Sequence, residues 1–517
     1  MKRACSSYLI LALLFAIPLT ALAVAQPVPA GQKAQLRFAN PVAYDAGGID
    51  ANSVVIADLK GDGIPDLVVA SKWQDANSAA GEVSVFLGNG DGTFQPTVTY
   101  GTGAYWTYSV AVGDVNGDGI PDLVVLNLCQ TVNQYDSCNS PVAVSVLRGN
   151  GDGTFQPAAV YGTGLGNAYS LVMADLRGIG ILDVVMACPQ LLYASVMLGN
   201  GDGTFQPPVN YDSPGYPWSA AVADVNDDGI PDLVVANYCQ APSCLTDGSA
   251  GVFLGNGDGT FQPVVTYDSG SPRSTSVAVA DLRGDGILDL VAASGYRSTV
   301  VSVLLGNGDG TFQAPVDYDL GGTINQEVVI GDLNGDGIPD LAVVDVCKNF
   351  KKGACIGNGQ VRVLLGNGDG TFQVPVTYSS GGYGGWAIAI GDVNGDGRSD
   401  LVVANNSQSP SNPVPSVAVL LNETYYASKT ALTSSPNPSQ VNQTVTFTAT
   451  ITPTPPNGEL VTFYDGKTDL GTGATTNGVA TLTTSFSAAK TYTIKFTYPG
   501  DPFRKPSKAT VKQVVNP

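Results

Sequence analysis

Asp114-Val-Asn116-Gly-Asp118-Gly119-Ile-Pro-Asp122 decides how this 517-residue chain folds, because the stretch returns seven times. The copies begin at Asp58, Asp114, Asp175, Asp224, Asp281, Asp332 and Asp392, about 50 to 60 residues apart. Oxygen-bearing side chains at positions 1, 3, 5 and 9 suit a hard cation, whose ligands must converge from one short loop, and Gly at 6 permits the sharp turn. The first six positions match the calcium loop of a helix–loop–helix hand, whose twelfth residue is Glu. Here the twelfth residues are Val69, Val125, Met186, Val235, Ala292, Val343 and Val403. The flanks, Ser109-Val-Ala-Val before and Leu123-Val-Val after, are β-branched with period two, so the loop joins strands. The reading is a calcium-clasped hairpin, repeated seven times.

The copies are not equivalent. Four keep an oxygen at every side-chain position: Asp114, Asn116, Asp118 and Asp122; Asp224, Asn226, Asp228 and Asp232; Asp332, Asn334, Asp336 and Asp340; Asp392, Asn394, Asp396 and Asp400. The backbone carbonyls of Ile120, Ile230, Ile338 and Arg398 are the expected further ligands. Two loops, Asp58-Asp62-Asp66 and Asp281-Asp285-Asp289, carry Lys60 and Arg283 at position 3, losing a ligand and gaining a cation. The third, with Arg177 and Ile179, keeps only Asp175 and Asp183 and is expected to bind nothing. Four full Ca2+ sites, and up to six in all, follow. Read instead as plain Asn/Asp turns, the full loops leave three carboxylates crowded together without compensation.

Composition narrows the function. The net charge of -20 is an aspartate effect, since Glu occurs only at 82, 327, 423 and 459. Without clustered Lys and Arg to neutralise phosphates, a nucleic-acid partner is excluded. Histidine is absent, which removes Ser-His-Asp and Cys-His chemistry and His-ligated zinc. Lys2 and Arg3, the apolar run Tyr8 to Leu22 and the small residues Ala23-Val-Ala25 read as an export signal over 1–25, followed by a short linker, 26–35. No other stretch is long and apolar enough to span a bilayer, so the expectation is a secreted or cell-surface monomer. In an oxidising compartment Cys129 pairs with Cys138, Cys239 with Cys244 and Cys347 with Cys355. Cys188 is left over and reads as a buried thiol.

A second stretch, Gly-Asn-Gly-Asp-Gly-Thr-Phe-Gln, begins at Gly88, Gly149, Gly199, Gly255, Gly306 and Gly366, between alternating runs. Asn-Gly and Asp-Gly in such a place signal a hairpin, and a tight turn accounts for Asp91 and its equivalents without a ligand. One repeat then supplies four strands, read in the second copy as Ser109 to Gly113, Leu123 to Leu126, Val142 to Leu147 and Phe155 to Tyr161. Four-stranded units at this period are propeller blades. Leu36 to Tyr44 matches only a fourth strand, and Ser416 to Leu421 is a third strand without its hairpin turn. The expected fold is therefore an all-β, seven-bladed β-propeller over 36–424, closed by an N-terminal outer strand. After a linker, 425–429, the Thr-rich segment 430–517 reads as an Ig-like β-sandwich of roughly seven short antiparallel strands.

The motif within "SVAVGDVNGDGIPDLVVLN" resembles the FG-GAP/VCBS repeats of bacterial surface proteins and, more distantly, the integrin α-subunit propeller. The Gly-Ala-Pro expected after the second strand is replaced by Val69-Ala70, Ala236-Asn237 and Ala404-Asn405, so the resemblance implies the fold and not an integrin-like ligand. The stretch "TALTSSPNPSQVNQTVTFTATITP" is similar to bacterial Ig-like (Big) domains, which implies a spacer or stalk.

Because the Asp loops join first to second strands, they share one face. Trp73, Trp106, Trp218 and Trp386, with Tyr105, Tyr216 and Tyr383, fall on the opposite face, where aromatics suit stacking on sugars or anchoring a protein. The same residues could equally wedge between blades. The leading reading is an exported, non-enzymatic recognition or adhesion protein with a glycan or protein ligand and no catalytic residues. The alternatives are an extracellular polysaccharide lyase or hydrolase and a purely structural envelope component.

Overall fold

Whether a strand alternates or is apolar throughout depends on how many of its faces are covered. Asp122–Cys129 is buried at every position, whereas Val42–Asp45 keeps an outward face. A computed structural model describes residues 36–517 apart from 76–77, 134–137, 139, 241–247, 271–272, 296–297, 323, 352–353, 408–413 and 456. The expected signal segment and the linker 26–35 lie outside the described residues. Among those described there is no α-helix, only a 3-10 turn at Pro189–Leu191, and no helix long and apolar enough to cross a membrane.

The repeats build antiparallel sheets. Ile49–Ala57, Asp66–Trp73, Ala80–Phe86 and Val98–Gly113 pair in order, and the second half of Val98–Gly113 pairs on with Asp122–Cys129, Ala143–Leu147 and Ala159–Gly162. Four-stranded sheets follow, beginning with the strands Ser170–Ala174, Gly215–Ala223, Ser274–Ala280 and Asn325–Gly331. The last joins Tyr383–Gly391, Asp400–Ser407 and Ser416–Leu420, and its outer edge is taken by Val42–Asp45, with Tyr44 opposite Val417. An apolar cluster joins Val54, Ile56 and Leu67 of the first sheet to Val402, Ala404 and Val419 of the last.

Each outer strand ends in a Tyr that meets a Phe of the next repeat edge-on. Tyr100–Phe155, Tyr161–Phe205, Tyr211–Phe261, Tyr267–Phe312 and Tyr318–Phe372 lie 5.3 to 6.3 Å apart. Tyr378 finds its Phe at Phe38, 5.0 Å away in the N-terminal segment, and Tyr44 finds Phe94 at 5.6 Å. Such T-shaped pairs add about 0.5–1.5 kcal/mol each beyond area burial.

One strand boundary is corrected. The fourth strand of the second repeat begins at Ala159 rather than Phe155, because Pro157 offers no amide and Phe155 makes only an isolated bridge to Gly149. The Asn-Gly-Asp-Gly turn itself is closed by Asp152 Oδ1, which accepts the Thr154 amide and hydroxyl at 2.9 and 2.5 Å.

At the C-terminus, Lys429–Ser435, Thr444–Thr452 and Val479–Ser485 form one sheet. The other contains Ser439–Gln440, Ser507–Asn516, Thr491–Tyr498, Leu460–Asp465 and Thr468–Ala474, with Phe447, Phe463, Ile494 and Phe496 buried in the shared core. It is not wholly antiparallel, since Ser439–Gln440 runs parallel to Ser507–Asn516. Residues 425–429 do not hang free: Tyr426 is buried and exchanges backbone hydrogen bonds with Phe503 and Lys505.

Candidate functional site

Each Asp loop bends because its glycines take a left-handed backbone, Gly117 at φ 78° and Gly119 at 80°. That bend turns successive amides toward the first carboxylate. Asp114 Oδ1 accepts from Asn116, Gly117 and Asp118, and Oδ2 accepts from Gly119 at 2.7 Å. Asn116 Oδ1 and Asp118 Oδ1 accept from the amides two residues on, at 2.9 Å each.

The ninth position does something the spacing did not reveal. Asp122 is fully buried; Oδ2 accepts from the Val115 amide at 3.2 Å and Oδ1 from Gly149, in the hairpin turn, at 2.9 Å. Asp66, Asp183, Asp232, Asp289, Asp340 and Asp400 repeat the arrangement. In the first six repeats this aspartate pins the Asp loop to the turn between the third and fourth strands, and in the seventh to Asn422 after the third strand. Burial pushes Asp122 and Asp232 up to about 6, Asp400 to about 7 and Asp340 to about 8, with the loop carboxylates adding to the rise and the amides opposing it.

Where position 3 is basic, a side-chain cation takes up the charge. Arg177 Nη2 lies 2.6 Å from Asp183 Oδ1, and Arg283 contacts Asp285 at 3.0 Å and Asp289 at 2.8 Å. Lys60 Nζ lies 2.7 Å from Asp62. Among the described residues no Lys or Arg forms an ion pair with the Asp side chains of the loops at Asp114, Asp224 and Asp332, and their oxygen-only donor set fits a hard cation. Among the described residues no group of three or more His, Cys, Asp or Glu side chains could hold a metal by those groups alone; the donor set here includes an Asn oxygen and a backbone carbonyl. In the seventh loop Arg398, expected to act through its carbonyl, turns its guanidinium back onto Asp396.

The opposite ends of the first strands carry a different device. In six of these strands the register slips by one residue, between Ala51 and Ser53, Thr107 and Ser109, Pro217 and Ser219, Ser274 and Ser276, Asn325 and Glu327, and Gly385 and Ala387. Such bulges re-aim a side chain, and the extra residues are Asn52, Tyr108, Trp218, Thr275, Gln326 and Trp386. Tyr169 stands at the matching place before Ser170. Tyr108 meets Tyr169 at 4.9 Å, Tyr169 meets Trp218 at 4.5 Å, and Trp218 stacks on Tyr238 at 5.0 Å, with Arg273 5.5 Å above Tyr238. The Trp386 indole stands near the Tyr108 hydroxyl and acts to lower its pKa, against the larger rise from burial. Burial, then the nearby Tyr169, pushes Tyr108 well above the usual phenol range.

Below this ring lies a belt between sheets. Ser53, Ser170, Ser219 and Ser276 accept from the amides of Val110, Ala220, Val277 and Val328 at 3.3 to 3.4 Å, and Glu327 Oε2 accepts from Ile388 at 2.8 Å. Burial pushes Glu327 up to about 7.

Of the aromatics expected on this face, Trp218 and Trp386 join the run. Among the described ring contacts none connects Trp73, Tyr105, Trp106 or Tyr216 to it: Trp73 lies under Lys72 Nζ at 4.4 Å, and Trp106 adopts φ 61° beside the bulge. Tyr383 heads the strand Tyr383–Gly391. Tyr108 and Tyr169 were missed, yet the residue before Ser in Tyr108-Ser-Val-Ala, Tyr169-Ser-Leu-Val and Trp218-Ser-Ala-Ala marks them. Cys129 and Cys138 are bonded, with Cα atoms 5.7 Å apart. Cys239 and Cys347 are also disulfide-bonded; Cys244 and the Cys355 side chain lie outside the described residues. Cys188 is a free, buried thiol, its pKa pushed up by burial to about 11.

An all-β array of repeats with one Asp loop each defines the class. The chain belongs to the FG-GAP-like repeat family, which matches residues 58–125, 178–235, 243–292, 281–343 and 354–403, and residues 432–516 match the bacterial Ig-like domain (group 3). Phosphatidylinositol-glycan-specific phospholipase D of Rattus norvegicus is 32% identical over 155 residues, 25% of this chain and 18% of that protein. Its Mus musculus counterpart is 32% identical over 150 residues, 24% and 17% respectively. The match thus spans under a fifth of the length of these curated relatives. Among solved structures, the V. cholerae biofilm matrix protein Bap1 aligns with TM-score 0.42 and 13% identity over 76% of this chain and 91% of its own. The exotype rhamnogalacturonan lyase YesX aligns with TM-score 0.43 and 14% identity over 76% and 75%.

Proposed function

We propose that this chain is an exported, non-enzymatic recognition or adhesion protein whose repeats form a closed seven-bladed propeller, stiffened by calcium and carried on the Ig-like domain. The pairing of Val42–Asp45 with Ser416–Leu420 and the Tyr378–Phe38 contact support closure. Calcium is supported by the oxygen-only loops at Asp114, Asp224 and Asp332; the loop at Asp392 is a fourth site if Arg398 yields Asp396. Lys60 and Arg283 make the loops at Asp58 and Asp281 the weakest candidates.

The observation that carries recognition is the aromatic run Tyr108–Tyr169–Trp218–Tyr238, with Trp386 near Tyr108, at the end away from the Asp loops. Its rings are half-buried and bordered by Asn52, Thr275 and Gln326, a mixture that suits a sugar's apolar face and hydroxyls. A glycan is therefore the favoured ligand. A binding screen over neutral and acidic glycans, with product release followed on the same glycans, tests it. Binding without products, weakened at least tenfold by Tyr169→Ala at unchanged melting temperature, is the expected result. Lower melting with intact binding would make the run a packing wedge.

One observation favours a second reading. Glu327, with its pKa raised to about 7, lies next to Gln326 beneath the ring, where a general acid of a polysaccharide-degrading enzyme would have to sit. Product release abolished by Glu327→Gln would establish that reading.

A further inference from the structure

Away from the aromatic ring and the Asp loops' own ligands, positive charge gathers where the Ig-like domain meets the sixth and seventh loops. A cavity of about 520 Å3 at this junction is lined by residues including Tyr425, Asp501, Arg504 and Lys505. Arg398 lies 4.7 Å and Lys505 5.1 Å from the Tyr425 ring. In a chain of net charge -20 with only 24 Lys and Arg, Arg504 and Lys505 line one cavity, with Arg398, paired to Asp396, on the Tyr425 ring beside it.

Arg504 is the unusual member. It is 2% exposed, and its Nη1 pairs with Asp501 Oδ2 at 3.0 Å, yet Nε and Nη2 have no hydrogen-bond partner. Those two N–H groups share one edge of the guanidinium, the edge that matches a carboxylate or a similar oxyanion bidentately. Asp501 is committed elsewhere: Oδ2 also accepts the Tyr498 hydroxyl at 2.6 Å, and Oδ1 accepts the Phe503 amide at 2.9 Å. Glu459 feels the Arg504 charge but does not occupy that edge. A buried charged donor left unpaired is costly, so an acceptor placed there is held strongly.

We propose that the junction is an oxyanion-binding site in which the free edge of Arg504 receives a carboxylate or sulfate oxygen pair, with Lys505 and Arg398 supplying the surrounding field. The oxyanion could be borne by an acidic polysaccharide or be a free ion, and two arms distinguish them. The full chain is titrated calorimetrically with oligogalacturonate, with the matching neutral oligosaccharide, and with sodium sulfate, all at one ionic strength set with chloride. The expected result is binding of oligogalacturonate, of sulfate or of both, and none of the neutral sugar. Arg504→Lys, which keeps the charge and loses the fork, should weaken it at least tenfold. Lys505→Gln, which leaves Arg504 in place, should weaken it about threefold and guards against a folding defect in the first variant. Binding that is absent in both anionic arms, or unchanged in Arg504→Lys, overturns the site. So does anion binding that appears only in Glu459→Gln, which would make Glu459 the natural occupant.

Discussion

Asp122 shows how one residue can serve two ends. Its spacing announces a cation ligand, but the structure uses both its oxygens to hold the Val115 and Gly149 amides. Asp122→Ala strands two buried N–H donors, and unfolding by denaturant should show a loss of about 2–4 kcal/mol even in chelator. A loss confined to calcium-containing buffer would mean that the clamp contributes nothing. Asp227 makes a smaller point. It takes φ 59° where the other six loops have Gly, so Asp227→Gly should raise stability by up to about 1 kcal/mol in the same assay. Trp218 and Trp386 were legible as aromatics at the heads of first strands, whereas Tyr108 and Tyr169 were missed although each precedes a first-strand Ser. Tyr238 and Arg273 were not legible, because they join the run from a second strand and a loop, and no period links them to it.

At the scale of the element, the first strands form the belt that ties sheet to sheet, and Glu327 replaces Ser in it. Glu82, on the strand Ala80–Phe86, is 3% exposed and is also pushed up to about 7, by burial and then by the charges of Asp75 and Asp45. Both folded values lie above the ordinary 4.5, so the native state holds protons that the unfolded chain has released. Their contribution is complete below about pH 4.5 and is lost as pH rises through 7. For Glu82 the loss amounts to about 3 kcal/mol. Unfolding measured in calcium at pH 5 and pH 8 should show that fall, and Glu82→Gln should flatten its share; equal slopes in variant and parent would contradict it. Strand number and order were legible because Asp-Gly and Asn-Gly turns punctuate alternating runs. The late start of the fourth strand and the parallel Ser439–Gln440 pairing were not, since a Pro and a two-residue strand leave no period to read.

For the whole molecule, the two ends of one array divide the labour. The Asp loops hold hairpins at one end, the half-buried aromatic run lies at the other, and the Ig-like domain rests on the sixth and seventh loops, with Phe503 over Gly335 and Pro502 over Gly397. The two compositions made the two domains legible, whereas their contact was invisible in sequence because it pairs an unremarkable Pro-Phe with loop glycines. Calcium stiffening is the claim on which the rest depends. At ten-fold saturation each full loop adds about 1.4 kcal/mol, so four add roughly 6 kcal/mol. The direct measurement is the melting temperature of the full chain in millimolar calcium and in chelator. Calcium stiffening predicts a rise of roughly 7 °C with calcium, reduced by about a quarter in Asp118→Asn and unchanged in Arg177→Gln. Identical melting in calcium and chelator would contradict it.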